Sequence, residues 1–211
     1  MTAWAALLEF AKMKIGERVL IVGGDEIIGY SAIQLAVAHG CHIVTTCRGE
    51  NIALVLAAGA NQAVDCLSED IQLAVKEKFD VVFDTIGAAR TERIGLGLLK
   101  RGEIIGLSLL KRGGRYVNLK ENVPLDHPDN LIYPFRDNSE LIADLYKNLR
   151  IVYHTIRRPS SRPSLEVISK LVGAGWMRIP IAKTFPITQV REAFEAADNL
   201  RTLGKMVLTF D

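Results

Sequence analysis

The fold is decided by Arg18-Val19-Leu20-Ile21-Val22-Gly23-Gly24-Asp25-Glu26-Ile27-Ile28-Gly29-Tyr30. An apolar, β-branched run closes on paired glycines, and apolar residues at helical spacing follow it. This change from strand period to helix period predicts a buried strand, a glycine turn and a helix. A unit of this kind is typical of the start of a nucleotide-binding sheet.

The glycine turn resembles the dinucleotide fingerprint G-x-G-x-x-G, with Gly24 and Gly29 at its outer positions. Glycines allow a tight turn and a close approach to a pyrophosphate, while the helix N-terminus offers N–H donors and a partial positive charge. The middle position holds Glu26, which adds a side chain and a negative charge near the expected phosphate. Two interpretations remain: a working site with Glu26 turned to solvent, or a degenerate, cofactor-free Rossmann domain.

Composition limits the classes of function. The chain has 211 residues, 49% of them hydrophobic, which is enough for one sizeable domain or slightly more. A formal charge of +2 predicts neither a nucleic acid nor an anionic membrane as partner, and no apolar run reaches the length of a membrane span. Three cysteines without paired metal spacing favour a reducing compartment, and we assign no metal ligands.

Strand-like and helix-like segments alternate along most of the chain. Apolar runs separated by helical patterns imply a parallel sheet covered on both faces and joined by right-handed crossovers. The predicted fold class is therefore α/β, a Rossmann-like doubly wound parallel sheet, whose ligands bind beyond the carboxyl ends of the strands. The predicted strands begin near residue 18 and then span 42–47, 63–65, 79–83, 115–119 and 149–156.

Two local predictions concern the helices between these strands. Ser68 is expected to cap a helix that carries Ile71 and Leu73. Farther on, Ile-Gly-Leu-Gly-Leu-Leu-Lys-Arg-Gly from Ile94 recurs as Ile-Gly-Leu-Ser-Leu-Leu-Lys-Arg-Gly eleven residues later, so that 94–113 is an internal duplication. Its glycines argue against one smooth helix, and 103–108 is a candidate extra strand. We interpret the duplication as an insertion in a crossover.

The second half of the chain departs from strict alternation. Residues 122–138 carry three prolines and are predicted to form a loop, followed by a helix that Ser139 caps. The basic segment 157–162 is a phosphate candidate or a solvated turn. The end of the chain is predicted as a helix at 164–172, a strand near 177–185, a helix at 188–199 and a final strand at 205–210.

Four blocks of the chain carry a family resemblance. They are 2–7 (TAWAAL), 16–21 (GERVLI), 79–87 (FDVVFDTIG) and 204–208 (GKMVL). In this order the blocks resemble the medium-chain dehydrogenase/reductase superfamily, and within it the zinc-free quinone oxidoreductase branch. The resemblance covers essentially the whole chain.

The resemblance implies an organisation and an activity. It implies a Rossmann domain over 1–182 and a remnant of the catalytic domain over 183–211, without the GroES-like domain that precedes this segment in the family. It also implies NADPH as cofactor, hydride transfer to a quinone or an α,β-unsaturated carbonyl, independence of zinc and a mitochondrial location. A homodimer is an option that the resemblance leaves open.

Candidate site residues come from matching the family pattern. Glu26 and Ile27 replace the usual glycines of the pyrophosphate turn, and Arg48 stands where a guanidinium favours the 2′-phosphate of NADP over the ribose of NAD. Cys66 replaces a common tyrosine at the adenosine end, and Asp84 is interpreted as structural. The cofactor-binding candidates are Gly24, Asp25, Ile27, Ile28, Gly29, Cys47, Arg48, Cys66, Thr85, Ile86, Gly87 and Leu203.

Two functions from different classes remain. The first is an NADPH-dependent oxidoreductase, in which the nicotinamide carries the reaction, so we assign no catalytic acid or base and interpret the tyrosines as structural. The second is a non-catalytic module that binds cofactor or a protein partner. Glu26 and the lack of the family's N-terminal half favour the second. A hydrolase is disfavoured because the G-x-S-x-G elbow does not occur.

Overall fold

A parallel sheet forms the centre of the molecule. The computed structural model describes residues 1–100, 104–105, 109–110, 114–119, 152–156, 162–198 and 203–210. The strands are β1 (Arg18–Val22), β2 (His42–Cys47), β3 (Gln62–Asp65), β4 (Val81–Asp84), β5 (Ile104–Ile105), β6 (Leu109–Leu110), β7 (Arg115–Leu119), β8 (Val152–Ile156), β9 (Ile181–Pro186) and β10 (Lys205–Thr209). Six of them pair in the order β3-β2-β1-β4-β7-β8, all in parallel. This order confirms the predicted doubly wound α/β sheet.

Helices cover the sheet and connect its strands. The α-helices are α1 (Thr2–Trp4), α2 (Ile27–Ala38), α3 (Ile52–Ala57), α4 (Ile71–Ala74), α5 (Ala89–Leu98), α6 (Arg162–Gly173) and α7 (Val190–Asp198). A π-helical segment, Ala5–Phe10, continues α1, and short 3₁₀ turns at Gly49–Asn51 and Ile187–Gln189 precede α3 and α7. Among the described residues, no helix is long and apolar enough to cross a membrane.

The central strand β1 explains why the site forms where it does. Val19 and Ile21 belong to one buried cluster, which α2 joins through Ile33, while Leu20 belongs to a second cluster on the other face. Burial on both faces is what the continuous apolar run predicts. Burying each such side chain contributes about 1.5–3 kcal/mol relative to leaving it exposed, so the end of β1 is held in place from both sides.

One predicted helix cap is wrong. Asp70, not Ser68, caps α4, because its side chain accepts a hydrogen bond from the backbone N–H of Gln72 at 2.9 Å. The Ser68 hydroxyl instead donates to Asp65 Oδ2 at 2.6 Å. Asp70 directly precedes Ile71, so it stands at the N-cap position, where its carboxylate also interacts favourably with the helix dipole.

The duplication does not form one continuous helix, because α5 ends at Leu98, within the first copy. Gly95 and Gly97 both lie inside α5. A Cβ on Gly95 would lie 2.7 Å from a ring carbon of Tyr116, so this glycine lets α5 pack directly on β7. Close packing here outweighs the roughly 1 kcal/mol by which glycine disfavours a helix.

The rest of the duplication lies in the connection between α5 and β7. Ile104–Ile105 and Leu109–Leu110 pair antiparallel, and the first pair falls within the predicted extra strand. The ends of this connection meet, since the N–H of Gly114 donates to the Lys100 carbonyl at 2.9 Å. The second copy is therefore inserted between two residues, Lys100 and Gly114, that are neighbours in space.

The C-terminal segment forms its own sheet. β9 and β10 pair in parallel with each other and not with the central sheet. Gln34 of α2 fastens the segment before β9, because its side chain donates to the Arg178 carbonyl at 2.9 Å and accepts from the Arg178 N–H at 2.7 Å. The division into 1–182 and 183–211 remains a prediction. The predictions for 122–138, Ser139 and 157–161 lie outside the described residues.

Removing residues 103–113 is expected to leave the fold intact. Gly114 would then follow Arg101 and Gly102, and its bond to Lys100 would close a four-residue β-turn with glycine at the third position, as a type II turn prefers. Shortening the connection between Lys100 and Gly114 from 13 residues to two lowers the cost of loop closure, so the free energy of unfolding should change by no more than about 2 kcal/mol. Urea unfolding followed by circular dichroism measures this change.

A control deletion of 101–113 joins Lys100 directly to Gly114. Adjacent residues cannot form that hydrogen bond, so this variant should be the less stable of the two. Loss of cooperative unfolding in the 103–113 deletion would contradict the interpretation of the duplication as an insertion.

Candidate cofactor site

The glycine turn is fastened to the neighbouring strand. Gly23 has a φ of 81°, in the left-handed region that favours glycine, and its N–H donates to Thr46 Oγ1 at 3.1 Å. The N–H of Gly24 donates to the Thr46 carbonyl at 2.8 Å. The chain therefore leaves β1 in a fixed direction over the carboxyl end of β2.

The outer fingerprint glycines are required by close packing. A Cβ on Gly29 would lie 2.0 Å from the carbonyl oxygen of Gly23, and one on Gly24 would lie 2.0 Å from Thr45 Oγ1. Contacts under 3.0 Å are not found for real Cβ atoms, so both positions exclude a side chain. The first turn of α2 can rest directly on the loop only because these residues are glycines.

The N-terminus of α2 presents unused donors. Its first intrahelical bond runs from the Tyr30 N–H to the Glu26 carbonyl at 2.7 Å. The preceding amides, those of Ile27, Ile28 and Gly29, have no hydrogen-bond partner among the described residues. Such amides, together with the helix dipole, form a surface that favours a phosphate group.

Glu26 does not fill this surface. It is the N-cap residue of α2, with φ −83° and ψ 154°, but its side chain makes no capping hydrogen bond. The residue is exposed. Its carboxylate therefore leaves the amide donors of Ile27 and Ile28 open.

Asp25 is turned the other way and binds Arg48. Its Oδ2 atom accepts from Arg48 Nε at 3.1 Å, from the Arg48 N–H at 3.2 Å and from Asn51 Nδ2 at 2.9 Å. Burial alone would raise the pKa of Asp25, but these hydrogen bonds outweigh it and hold the pKa below its ordinary value. The same contact to Asp25 raises the pKa of Arg48. Both groups are charged at neutral pH.

Asp84 organises the loop after β4. Its side chain is fully buried, and Oδ1 accepts from the N–H groups of Ile86 at 2.9 Å and Gly87 at 3.0 Å. Oδ2 accepts from the hydroxyls of Thr91 and Tyr116, each at 2.7 Å. With four donors, the carboxylate holds the loop in place, and Tyr116 has the structural role that the sequence predicted.

The β4 loop and the glycine turn lie side by side. Thr85 Oγ1 donates to the Val22 carbonyl at 2.7 Å. A Cβ on Gly23 would lie 2.5 Å from this Thr85 hydroxyl oxygen. Ile86, at the tip of the loop, is 48% exposed. The structure thus brings Thr85, Ile86 and the turn together at one rim of the sheet.

Two cysteines occupy the same rim. Cys47 is buried at the end of β2, and the N–H of Cys66 donates to its carbonyl at 2.9 Å. Burial and the nearby Asp25 charge raise the pKa of Cys47 to about 12, and the same causes raise the pKa of the exposed Cys66. Both thiols are protonated at neutral pH, which disfavours a nucleophilic role.

The remaining candidate, Leu203, belongs to the C-terminal segment rather than to the glycine turn or the β4 loop. It lies just before β10, where Gly204 packs against Ala182. No described hydrogen bond or ion pair joins Leu203 to the glycine turn. Conversely, sequence reasoning missed Asn51, because its only signal was its position at the start of a helix. Within the described part of the chain, no group of three or more potential ligand side chains could hold a metal ion.

The sheet order and the glycine turn define a Rossmann-type α/β domain. Comparison with known proteins identifies the family. The family model described as zinc-binding dehydrogenase matches residues 58–208. The chain belongs to this family, within the medium-chain dehydrogenase/reductase superfamily, and is quinone-oxidoreductase-like.

Three similar proteins illustrate the relationship. The mitochondrial NAD(P)H oxidoreductase RTN4IP1 of Danio rerio is 30% identical over 230 residues, which cover 99% of this chain and 54% of the relative. The trans-enoyl reductase pgmF of Aspergillus terreus is 33% identical over 89 residues, covering 41% of this chain and 25% of the relative. The quinone oxidoreductase structure from Coxiella burnetii superposes with a TM-score of 0.74 at 25% identity, covering 100% of this chain and 57% of that one. The chain thus spans about half the length of the RTN4IP1 relatives that it matches.

Replacing Asp84 by alanine is expected to destabilise the protein by about 2–4 kcal/mol, because buried donors lose a charged acceptor. Urea unfolding measures the change in stability. NADPH titration of the folded protein measures whether the loop after β4 still supports binding. As a matched control, Asp70→Ala removes only the cap of α4 and should cost about 1 kcal/mol. Equal costs for the two variants would contradict the organising role of Asp84.

Proposed function

We propose that the chain binds NADPH at the rim formed by the glycine turn and the β4 loop, as part of an oxidoreductase of the quinone reductase type. The observation that carries the proposal is the unbonded amide surface of α2, which follows a turn that admits no side chain at Gly24 or Gly29. The residues present fit a dinucleotide, since a diphosphate needs this kind of close backbone approach.

Each proposed contact has a physical reason. The amides of Ile27 and Ile28 donate to the pyrophosphate, and the terminal nitrogens of Arg48 face the 2′-phosphate. The loop held by Asp84 lies beside the nicotinamide ribose, where Thr85, Ile86 and Gly87 position the ring. At the adenosine end, the exposed Cys66 supplies a neutral surface, and the buried Cys47 holds Cys66 in place through its carbonyl.

The proposed reaction is hydride transfer to a quinone or an α,β-unsaturated carbonyl. The nicotinamide supplies the hydride when bound, while the protein binds, orients and excludes water. We assign no catalytic acid, base or metal. The names of the relatives, NAD(P)H oxidoreductase, trans-enoyl reductase and quinone oxidoreductase, support this reaction class.

Asp25 and Glu26 weaken the proposed binding of NADPH only slightly, although both are acidic. Arg48 and Asn51 offset the charge of Asp25, and Glu26 is exposed. An exposed carboxylate about 8 Å from a phosphate in water repels it by roughly 0.5 kcal/mol. Such a repulsion lowers affinity without abolishing it.

The location and assembly of the protein belong to the same proposal. The mitochondrial names of the RTN4IP1 relatives support a mitochondrial location. Three free thiols, Cys41, Cys47 and Cys66, fit a reducing compartment. A homodimer rests on family resemblance alone.

A second candidate is binding without turnover, which the acidic Glu26 at the middle position of the fingerprint favours. Loss of NADPH absorbance on adding a quinone separates the two. Turnover by this chain supports the oxidoreductase, whereas binding without turnover supports a cofactor-binding module.

Titration of NADPH fluorescence tests the cofactor site. Wild type is expected to bind, Glu26→Gly and Glu26→Gln to bind about two- to fivefold more tightly because a repulsion is removed, and Gly29→Ala to lose binding because its Cβ would displace the turn. Comparing Gln with Gly separates the charge of residue 26 from its bulk. A folded wild type that binds neither NADPH nor NADH would refute the proposal.

Arg48→Ala is expected to weaken NADPH binding about 10- to 100-fold and NADH binding by no more than about twofold, since only NADPH loses a charge-assisted hydrogen bond. Calorimetric titration with both nucleotides measures the difference. Arg191→Ala, which removes an exposed arginine of α7, is the charge-matched control. Equal losses of NADPH and NADH affinity would exclude this role for Arg48.

A further inference from the structure

We propose that Asp25 is a positioning residue for cofactor choice: it holds Arg48 so that the guanidinium recognises the 2′-phosphate of NADPH. The inference rests on the proposed function, because it assumes that NADPH binds at this rim. It assigns a role to the carboxylate at position 25, where the fingerprint pattern accepts any residue.

The geometry singles out one oxygen atom. Asp25 Oδ2 receives both the backbone N–H and the side-chain Nε of Arg48, at 3.2 and 3.1 Å. Because one carboxylate oxygen binds both the backbone and the guanidinium of Arg48, it restrains the side chain between them. The terminal nitrogens Nη1 and Nη2 remain without a partner among the described residues. They are the pair that binds phosphate in bidentate fashion.

Burial makes the attachment effective. The Asp25 side chain is 6% exposed, whereas that of Arg48 is 35% exposed. The carboxylate is therefore a fixed anchor, and the guanidinium keeps one edge toward solvent. An unrestrained arginine loses up to about 2 kcal/mol of rotamer entropy when it is immobilised. Restraint by Asp25 before the nucleotide arrives reduces that loss.

Asn51 completes the arrangement. Its Nδ2 donates to the same Asp25 oxygen at 2.9 Å, and its N–H donates to the Arg48 carbonyl at 2.8 Å. The turn that would hold the pyrophosphate and the residue that would hold the 2′-phosphate are thus linked through Asp25. Asn51 supports the anchor without touching the Arg48 side chain, which makes it a control.

A purely electrostatic effect of Asp25 predicts a different result. Removing its negative charge raises the local potential and favours every phosphate-bearing nucleotide, NADH included. Loss of positioning affects only the nucleotide that carries a 2′-phosphate. The ratio of NADPH to NADH affinity therefore separates positioning from charge and from general loss of stability.

Calorimetric titration of the full chain tests the proposal, with NADPH, NADH, adenosine 2′,5′-bisphosphate and AMP as probes. Asp25→Ala should lower the preference for the 2′-phosphate about fivefold, corresponding to about 1 kcal/mol. Asp25→Asn should retain it, since the amide oxygen can accept the same hydrogen bonds, and Asn51→Ala should retain it as well. In an Arg48→Ala background, Asp25→Ala should change the preference no further.

Arg48→Lys provides a second test that leaves Asp25 in place. A lysine ammonium can reach Asp25 or a phosphate but cannot present separate edges to both, so the preference should fall nearly as far as in Arg48→Ala. An unchanged preference in Asp25→Ala or Arg48→Lys, with Arg48→Ala still impaired, overturns the inference alone. Wild type that binds none of the four probes overturns the proposed function and the inference with it.

Discussion

The close contact between Gly29 and the Gly23 carbonyl is the constraint on which the rest of the site depends. With no room for a Cβ at either Gly24 or Gly29, the first turn of α2 rests on the loop after β1. That contact sets the direction of α2, and α2 in turn carries the unbonded amides and buries Ile33 in the core. One backbone contact therefore couples the packing of the domain to the geometry of the candidate cofactor site.

The sequence does not show how the two acidic residues at the rim differ. Asp25 and Glu26 are adjacent in the chain, but one is buried against Arg48 and the other is exposed. In the sequence, Glu26 occupies the middle glycine position of the fingerprint near the expected phosphate, and Asp25 is a cofactor-binding candidate. Of these two residues, only Glu26 has a side chain without a hydrogen bond among the described residues, and because it does not cap α2, the helix donors stay open. The same separation explains why two acidic residues are compatible with a proposed anion site.

Much of the fold could be predicted because burial on both faces leaves a strong pattern. The strands β2 and β7 have the predicted bounds, β1 begins at the predicted residue, and the βα alternation predicts their parallel pairing. The sequence pattern does not show the long-range contact by which Gly95, inside α5, packs on Tyr116. The predicted Ser68 cap is wrong for a local reason: α4 begins at Ile71, so the N-cap position is that of Asp70. The Asp25–Arg48 pair spans 23 positions, and no local motif encodes it.

The central claim is that a diphosphate can rest against the main-chain amides at the start of α2 despite the acidic residue beside them. The most direct measurement is a proton–nitrogen NMR titration with NADPH that follows individual backbone amides. The account predicts the largest shifts at Ile27, Ile28 and Gly29, with Met206 and Val207 of β10 unchanged as internal references. Unchanged amides at the start of α2 in the presence of saturating nucleotide would contradict it.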